Sequence, residues 1–227
     1  NDAPVNTVPP SQTVDEDTTL TFVAGANGIS VDDVDSGSLR VTLTVSNGVL
    51  SLSGTSGLTF QNGDGSNDPT MTFTGTKSAL NAALSGLTYR GNLNYNGSDT
   101  LTVFTSDQGS SGAGGTLTAS DAVAITVNAV NDAPVNTVPA AQTVNEDTNL
   151  IINGISVTDV DSTQLKVTLS VNNGYQGAST YMSWSLGWPY SSGSNVWDKL
   201  VMKINGGISC CSSFTSLSSL TDNYQSY

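Results

Sequence analysis

The chain has 227 residues, 19 acidic against 6 basic, a net charge of −13 and no histidine. An acidic surplus of this size repels nucleic acid and anionic lipid, and the missing imidazole removes the usual general base at neutral pH, the Ser-His-Asp arrangement and most zinc sites. No run of about 18 apolar residues is present, so no membrane span is expected, and the only cysteines, Cys210 and Cys211, are adjacent and build no disulfide framework.

In chain order, the first strand-like run is Leu20–Val23. Leu39, Val41, Leu43 and Val45 then alternate with Arg40, Thr42 and Thr44, the period of a strand with one buried and one wet face, which predicts Arg40 in solvent and the aliphatics inward. Val49–Leu52, Leu58–Phe60 and Thr70–Thr74 follow, with the Asn62–Asp68 segment read as a hairpin loop and, as the alternative, a second calcium loop. At Lys77–Ser85 the period changes: Leu80, Ala83, Leu84 and Leu87 share a helical face, with Thr76 placed to cap the helix and Gly86 to end it. Leu101–Thr105 and Val123–Val127 complete a set of short strands that predicts an all-β sandwich with one short helical turn.

The sequence then restarts. Asn1-Asp2-Ala3-Pro4-Val5-Asn6-Thr7-Val8-Pro9 returns unchanged at 131–139, an offset of 130, and Gln12–Thr18 returns at 142–148 with Asn145 for Asp15. Gly28–Ser36 returns at 154–162 with an offset of 126 and Thr158 for Asp32, and the match runs on to Asn173-Gly174. A period this long means tandem whole domains, placed at 1–130 and 131–227. Leu165, Val167, Leu169 and Val171 repeat the alternation of the first copy, with Lys166 for Arg40 in solvent. Beyond Gly174 the copies diverge. The first copy continues for 82 residues past its matching Gly48, whereas 53 remain here, and all three tryptophans and both cysteines lie among them. In this divergent tail, 175–227, Leu200, Met202 and Ile204 alternate with Val201 and Lys203. The tail is expected to supply its own strands to the second domain, with Trp184 and Trp197 adding to its core; the alternatives are a strand donated from an identical subunit, or a sequence foreign to the repeat through a sequencing or gene-model artefact.

Acids without basic neighbours crowd into Asp15-Glu16-Asp17 and Asp32-Asp33-Val34-Asp35. Such clusters repel unless a cation neutralises them, and Ca²⁺ seeks six to eight oxygens from carboxylates, amide carbonyls and backbone. Taken as an ordered set, Asn-Asp-Ala-Pro, Glu-Asp-Thr and Asp-Val-Asp-Ser resemble the cadherin-like repeats of large bacterial surface adhesins, over residues 1–174. The resemblance implies tandem cadherin/Ig-like β-sandwich domains with Ca²⁺ at their junctions. It further implies Glu16, Asn131, Asp132, Asp159 and Asp161 as ligands at one junction, with Asp99 as an additional candidate. Asp33, Asp35 and Asp107, with Asn1 and Asp2, would form the equivalent half-site at the other end of the first domain.

An EF-hand is excluded, because Gly37, Ser38 and Thr44 stand at positions 5, 6 and 12 of a loop begun at Asp33. Asn96-Gly97-Ser98 fits a glycosylation pattern short enough to arise by chance. The functional expectation is a non-enzymatic, secreted or cell-surface spacer whose partners are neighbouring repeats and a glycan or cell-surface receptor. The alternatives are a carbohydrate-binding module that uses Trp184 and Trp188, and an accessory region of a secreted hydrolase.

Overall fold

Runs rich in Thr, Val and Leu, broken every few residues by Gly, Asn and Asp, leave the chain few options besides short strands and tight turns. A computed structural model describes residues 1–109, 113–145, 148, 150–162, 164–167, 181–184 and 200–203. It divides into a unit of Asn1–Val130 and a second of Asn131–Tyr227.

The first unit comprises β1 (Val5–Thr7), β2 (Gln12–Asp15), β3 (Thr19–Thr21), β4 (Ser30–Asp32), β5 (Ser38–Thr44), β6 (Gly48–Ser51), β7 (Leu58–Asn62), β8 (Thr70–Thr76), α1 (Lys77–Leu84), β9 (Thr88–Gly91), β10 (Gly97–Ser106) and β11 (Thr118–Asn128). Six strands form one sheet in the order β2-β11-β10-β5-β8-β7, three form another in the order β3-β9-β6, and β1 pairs with β4. Every pairing in the larger sheet is antiparallel except β11 with β2, which is parallel. Inward residues of both sheets meet in one apolar core, with Leu43, Phe73, Val103 and Ile125 from the larger sheet and Leu50 and Tyr89 from the smaller. The architecture is the all-β sandwich that the alternation predicts.

On β5 the inward side chains are Leu39, Val41 and Leu43, and Val45 continues them just past the strand; all four are buried, while Arg40 is exposed. The helix begins where expected. The Thr76 hydroxyl accepts from the Ala79 amide at 3.3 Å, and Leu80, Ala83 and Leu84 are buried. Its end is set by Gly86 at φ +99°, a left-handed conformation that costs glycine little. The side chain of Asn81 clamps α1 to β4 through both polar atoms, accepting from the Val31 amide and donating to the Val31 carbonyl at 2.9 Å each.

The second unit contains β12 (Val135–Thr137), β13 (Ile151–Ile152), β14 (Ser156–Thr158), β15 (Tyr181–Trp184) and β16 (Leu200–Lys203). The β12–β14 pair keeps the register of β1–β4: Asn136 faces Val157 as Asn6 faces Val31. β16 lies between β13 and β15, so the tail does pair with its own unit. Correcting the sequence expectation, residues 164–167 form no strand, and Leu165 and Val167 are only half-buried. In the first unit the equivalent strand, β5, is held between β8 and β10, which belong to the stretch the second copy does not reproduce. Leu169, Val171, Trp188, Trp197 and Ile204 lie outside the described residues.

Candidate metal centre

Acidic turns stand at both ends of the first unit, and each is built from local hydrogen bonds. After β4 the chain turns at Asp33, whose Oδ1 accepts from the Asp35 amide at 2.9 Å and the Ser36 amide at 2.6 Å. The Ser36 hydroxyl closes the turn by donating to the Ser38 carbonyl at 2.9 Å. The second copy repeats this geometry. Asp159 Oδ1 accepts from the Asp161 and Ser162 amides at 2.9 and 2.7 Å, and Ser162 donates to the Gln164 carbonyl at 2.7 Å. Asp-x-Asp-Ser therefore encodes a side-chain-to-backbone turn, which curves the loop.

In both units the second aspartate of the turn captures the entering chain: Asp35 Oδ2 accepts from the Asp2 amide at 2.7 Å, and Asp161 Oδ2 from the Asp132 amide at 2.6 Å. Asn131 donates from its side chain to the Asp132 carbonyl at 3.0 Å. In the first unit Asn1 also reaches the end of β10, where its Nδ2 donates to Asp107 Oδ2 at 2.6 Å. Asp107 Oδ1 accepts from the Gly109 and Leu117 amides at 2.9 and 2.8 Å. Hydrogen bonds thus tie Asn1 to Asp107 and Asp2 to Asp35 at one end, with Asp33 in the adjoining turn.

At the opposite end Glu16 follows β2. Its side chain is buried, with Oε1 accepting from the Val130 amide at 2.7 Å and Oε2 touching Asn96 Nδ2 at 3.5 Å. The adjoining turn is made by Thr18, which donates to the Asp15 carbonyl at 2.6 Å, with Asp17 at φ +58°. Thr148 makes the same bond to the Asn145 carbonyl at 2.6 Å. Glu16 belongs to the first unit, and Asn131, Asp132, Asp159 and Asp161 to the second.

Asp99 departs from the expected role. It is buried at the start of β10 and occupied by protein donors: Oδ1 accepts from the Ser46 and Thr100 amides at 3.0 and 2.8 Å, and Oδ2 from the Asn47 amide and Tyr89 hydroxyl at 2.9 and 3.0 Å. Four donors use the lone pairs a cation would need, and Asp99 acts as a staple between β10, the β5–β6 turn and β9. Burial, reinforced by the Asp99 carboxylate, pushes the Tyr89 phenol well above its ordinary range.

Asp32 also departs, because the acids are not free of bases. Lys77, the first residue of α1, pairs with Asp32 Oδ1 at 2.9 Å and donates to the Asp33 carbonyl. No sequence signal pointed to Lys77, since only the packing of α1 on β4 brings it there. The contact holds the Asp32 carboxyl below its ordinary value of 3.8, and the Gly109 amide does the same for Asp107. A depressed carboxylate pKa contributes stability that is present above the unfolded value and lost as pH falls through the folded one. We therefore expect melting in chelator to be flat near neutral pH, with an acid limb below about pH 4. Asp107→Asn should shallow that limb; an unchanged limb would show that Asp107 does not contribute to it.

Among the described residues no three His, Cys, Asp or Glu side chains stand together as a complete metal group. Ca²⁺ does not require three, because neutral oxygens and water supply much of its shell. The observation that fits a cation is Asp33 Oδ2: the residue is 2% exposed and this oxygen has no hydrogen-bond partner. An ionised carboxylate so placed carries a desolvation cost that a bound cation offsets. Trp184 lies on β15, and Trp188 is outside the described residues. In comparisons with known proteins the chain matches no family model and no curated protein.

Proposed function

We propose that this chain is a calcium-stabilised, non-catalytic repeat segment of an extracellular surface protein, serving as a spacer in an adhesin or filament. The observation that carries the proposal is the buried, unpartnered Asp33 Oδ2 inside a turn whose geometry recurs at Asp159. Asp33, Asp35 and Asp107 would hold the ion in the first unit, and Asp159 and Asp161 in the second. Extracellular modules bind Ca²⁺ with Kd of roughly 0.1–1 mM, so such a site fills outside cells and stays empty in the cytosol. The ion would stiffen the joints of an array, and neighbouring repeats would be the immediate partners.

Scattering and melting of the full chain test this. Millimolar calcium should narrow the distance distribution relative to chelator and raise Tm, because an ion that binds only the folded state adds about 0.4–1.4 kcal/mol at one to ten times its Kd. Superimposable scattering and melting in the two conditions would refute a calcium-stiffened spacer.

A further inference from the structure

Three buried side-chain oxygens among the described residues lack a hydrogen-bond partner: Asn6 Oδ1, Asp33 Oδ2 and Thr105 Oγ1. One hydrogen bond and the strand directions place them in adjacent layers of the sandwich. Asn6 lies opposite Val31 across β1–β4, and its Nδ2 donates to the Val103 carbonyl and to Asp121 Oδ2, at 3.1 Å each. Both neighbours are acceptors, so the NH₂ must face them and Oδ1 is turned away. Asp33 stands two residues beyond Val31, and Thr105 two residues beyond Val103, each buried on the inward side, Thr105 completely. β4 and β10 both run toward the end that carries Asn1, Asp35 and Asp107. One inward step along a strand is about 6.6 Å, so Asp33 and Thr105 share a layer just beneath that acidic end, with Asn6 in the layer below.

We propose that the Thr105 hydroxyl and the Asn6 side-chain carbonyl are neutral ligands of the cation bound by Asp33, an extension that rests on calcium binding there. The site then reaches into the top of the sandwich rather than lying only on the acidic loops. Three unpaired oxygens, one of them a carboxylate, form the hard donor set that Ca²⁺ selects. A single buried water could donate to Asp33 and Asn6 and accept from Thr105. It would leave the Asp33 charge uncompensated, because Lys77 is engaged with Asp32 and the Asp33 carbonyl rather than with Asp33 Oδ2. The cation removes that cost and the water does not. Asn136, at the matching register of β12, would play the part of Asn6 in the second unit.

The test uses the full chain carrying Asp159→Asn and Asp161→Asn, which silences the second unit, titrated with calcium by calorimetry. Adding Thr105→Val, close in shape but without the hydroxyl, should weaken calcium binding about tenfold, and Thr105→Ser should restore it. In chelator the Val variant should melt no lower than its parent, because it deletes a hydroxyl that has no partner. Equal affinity in parent and Val variant would overturn the proposal and assign the polar layer to water, leaving calcium at Asp33 intact. A parent that takes up no calcium would remove calcium binding at Asp33 altogether, and this extension with it.

Discussion

Asp99→Ala should destabilise the first unit by about 3 kcal/mol, and should do so equally in calcium and in chelator. The substitution strands the Tyr89 hydroxyl, fully buried in the core, and removes the acceptor for the Ser46, Asn47 and Thr100 amides. Hydrogen bonds to a charged acceptor contribute about 1.5–3 kcal/mol each, and an orphaned buried donor costs about 1–3. Solvent reaches Ser46 and relieves part of that loss. The expected fall in Tm is on the order of 10 °C for a unit of this size. Tyr89→Phe removes one of the four donors and should cost about 1 kcal/mol. A ligand role for Asp99 makes a different forecast, with a loss in calcium and none in chelator. Melting Asp99→Ala in both conditions separates the two, and a fall seen only with calcium would restore Asp99 to the metal site.

Asp33→Asn should act in opposite directions with and without calcium. The amide keeps an oxygen for the Asp35 and Ser36 amides, so the turn survives, but the buried charge is gone. In chelator the variant should therefore equal or exceed wild type by about 1 kcal/mol, since the wild-type carboxylate oxygen has no partner. In saturating calcium the wild type should be the more stable by about 2–3 kcal/mol, the mass-action contribution that the variant forgoes. Denaturant midpoints of the two proteins should cross as calcium is raised. If Asp33→Asn is destabilising by the same amount in both conditions, Asp33 is a turn-forming residue only.

Much of the first unit could be read from its sequence because β5 alternates strictly and α1 is bounded by Thr76 and Gly86. Both signals act over a few residues, where sequence and local structure are most tightly coupled. β1, β4 and β9 escaped because each is only three or four residues long and is held by its partner rather than by its own pattern. At the candidate site, the repeated Asp-Val-Asp-Ser singled out Asp33 and Asp35 while Asp107 came only from the family resemblance, and hydrogen bonds through Asn1 and Asp2 tie Asp107 and Asp35 to the same end. The protein donors around Asp99 were not legible because they come from a turn more than fifty residues earlier and from β9, a juxtaposition that only the register of the folded sheets creates. Lys77 was missed for the same reason, reaching Asp32 through the docking of α1 on β4. Residues 164–167 show the reverse failure: a strict local alternation forms no strand where the flanking partners of β5 have no counterpart in sequence.

Calcium uptake by the chelator-stripped full chain, measured by equilibrium dialysis beside the Asp33→Asn, Asp159→Asn double variant, addresses the metal centre most directly. Saturable uptake with Kd near or below 1 mM, abolished in the double variant while its melting in chelator stays at or above wild type, is the predicted result. No uptake by the wild type at several millimolar calcium, or the same isotherm from the double variant, would contradict it.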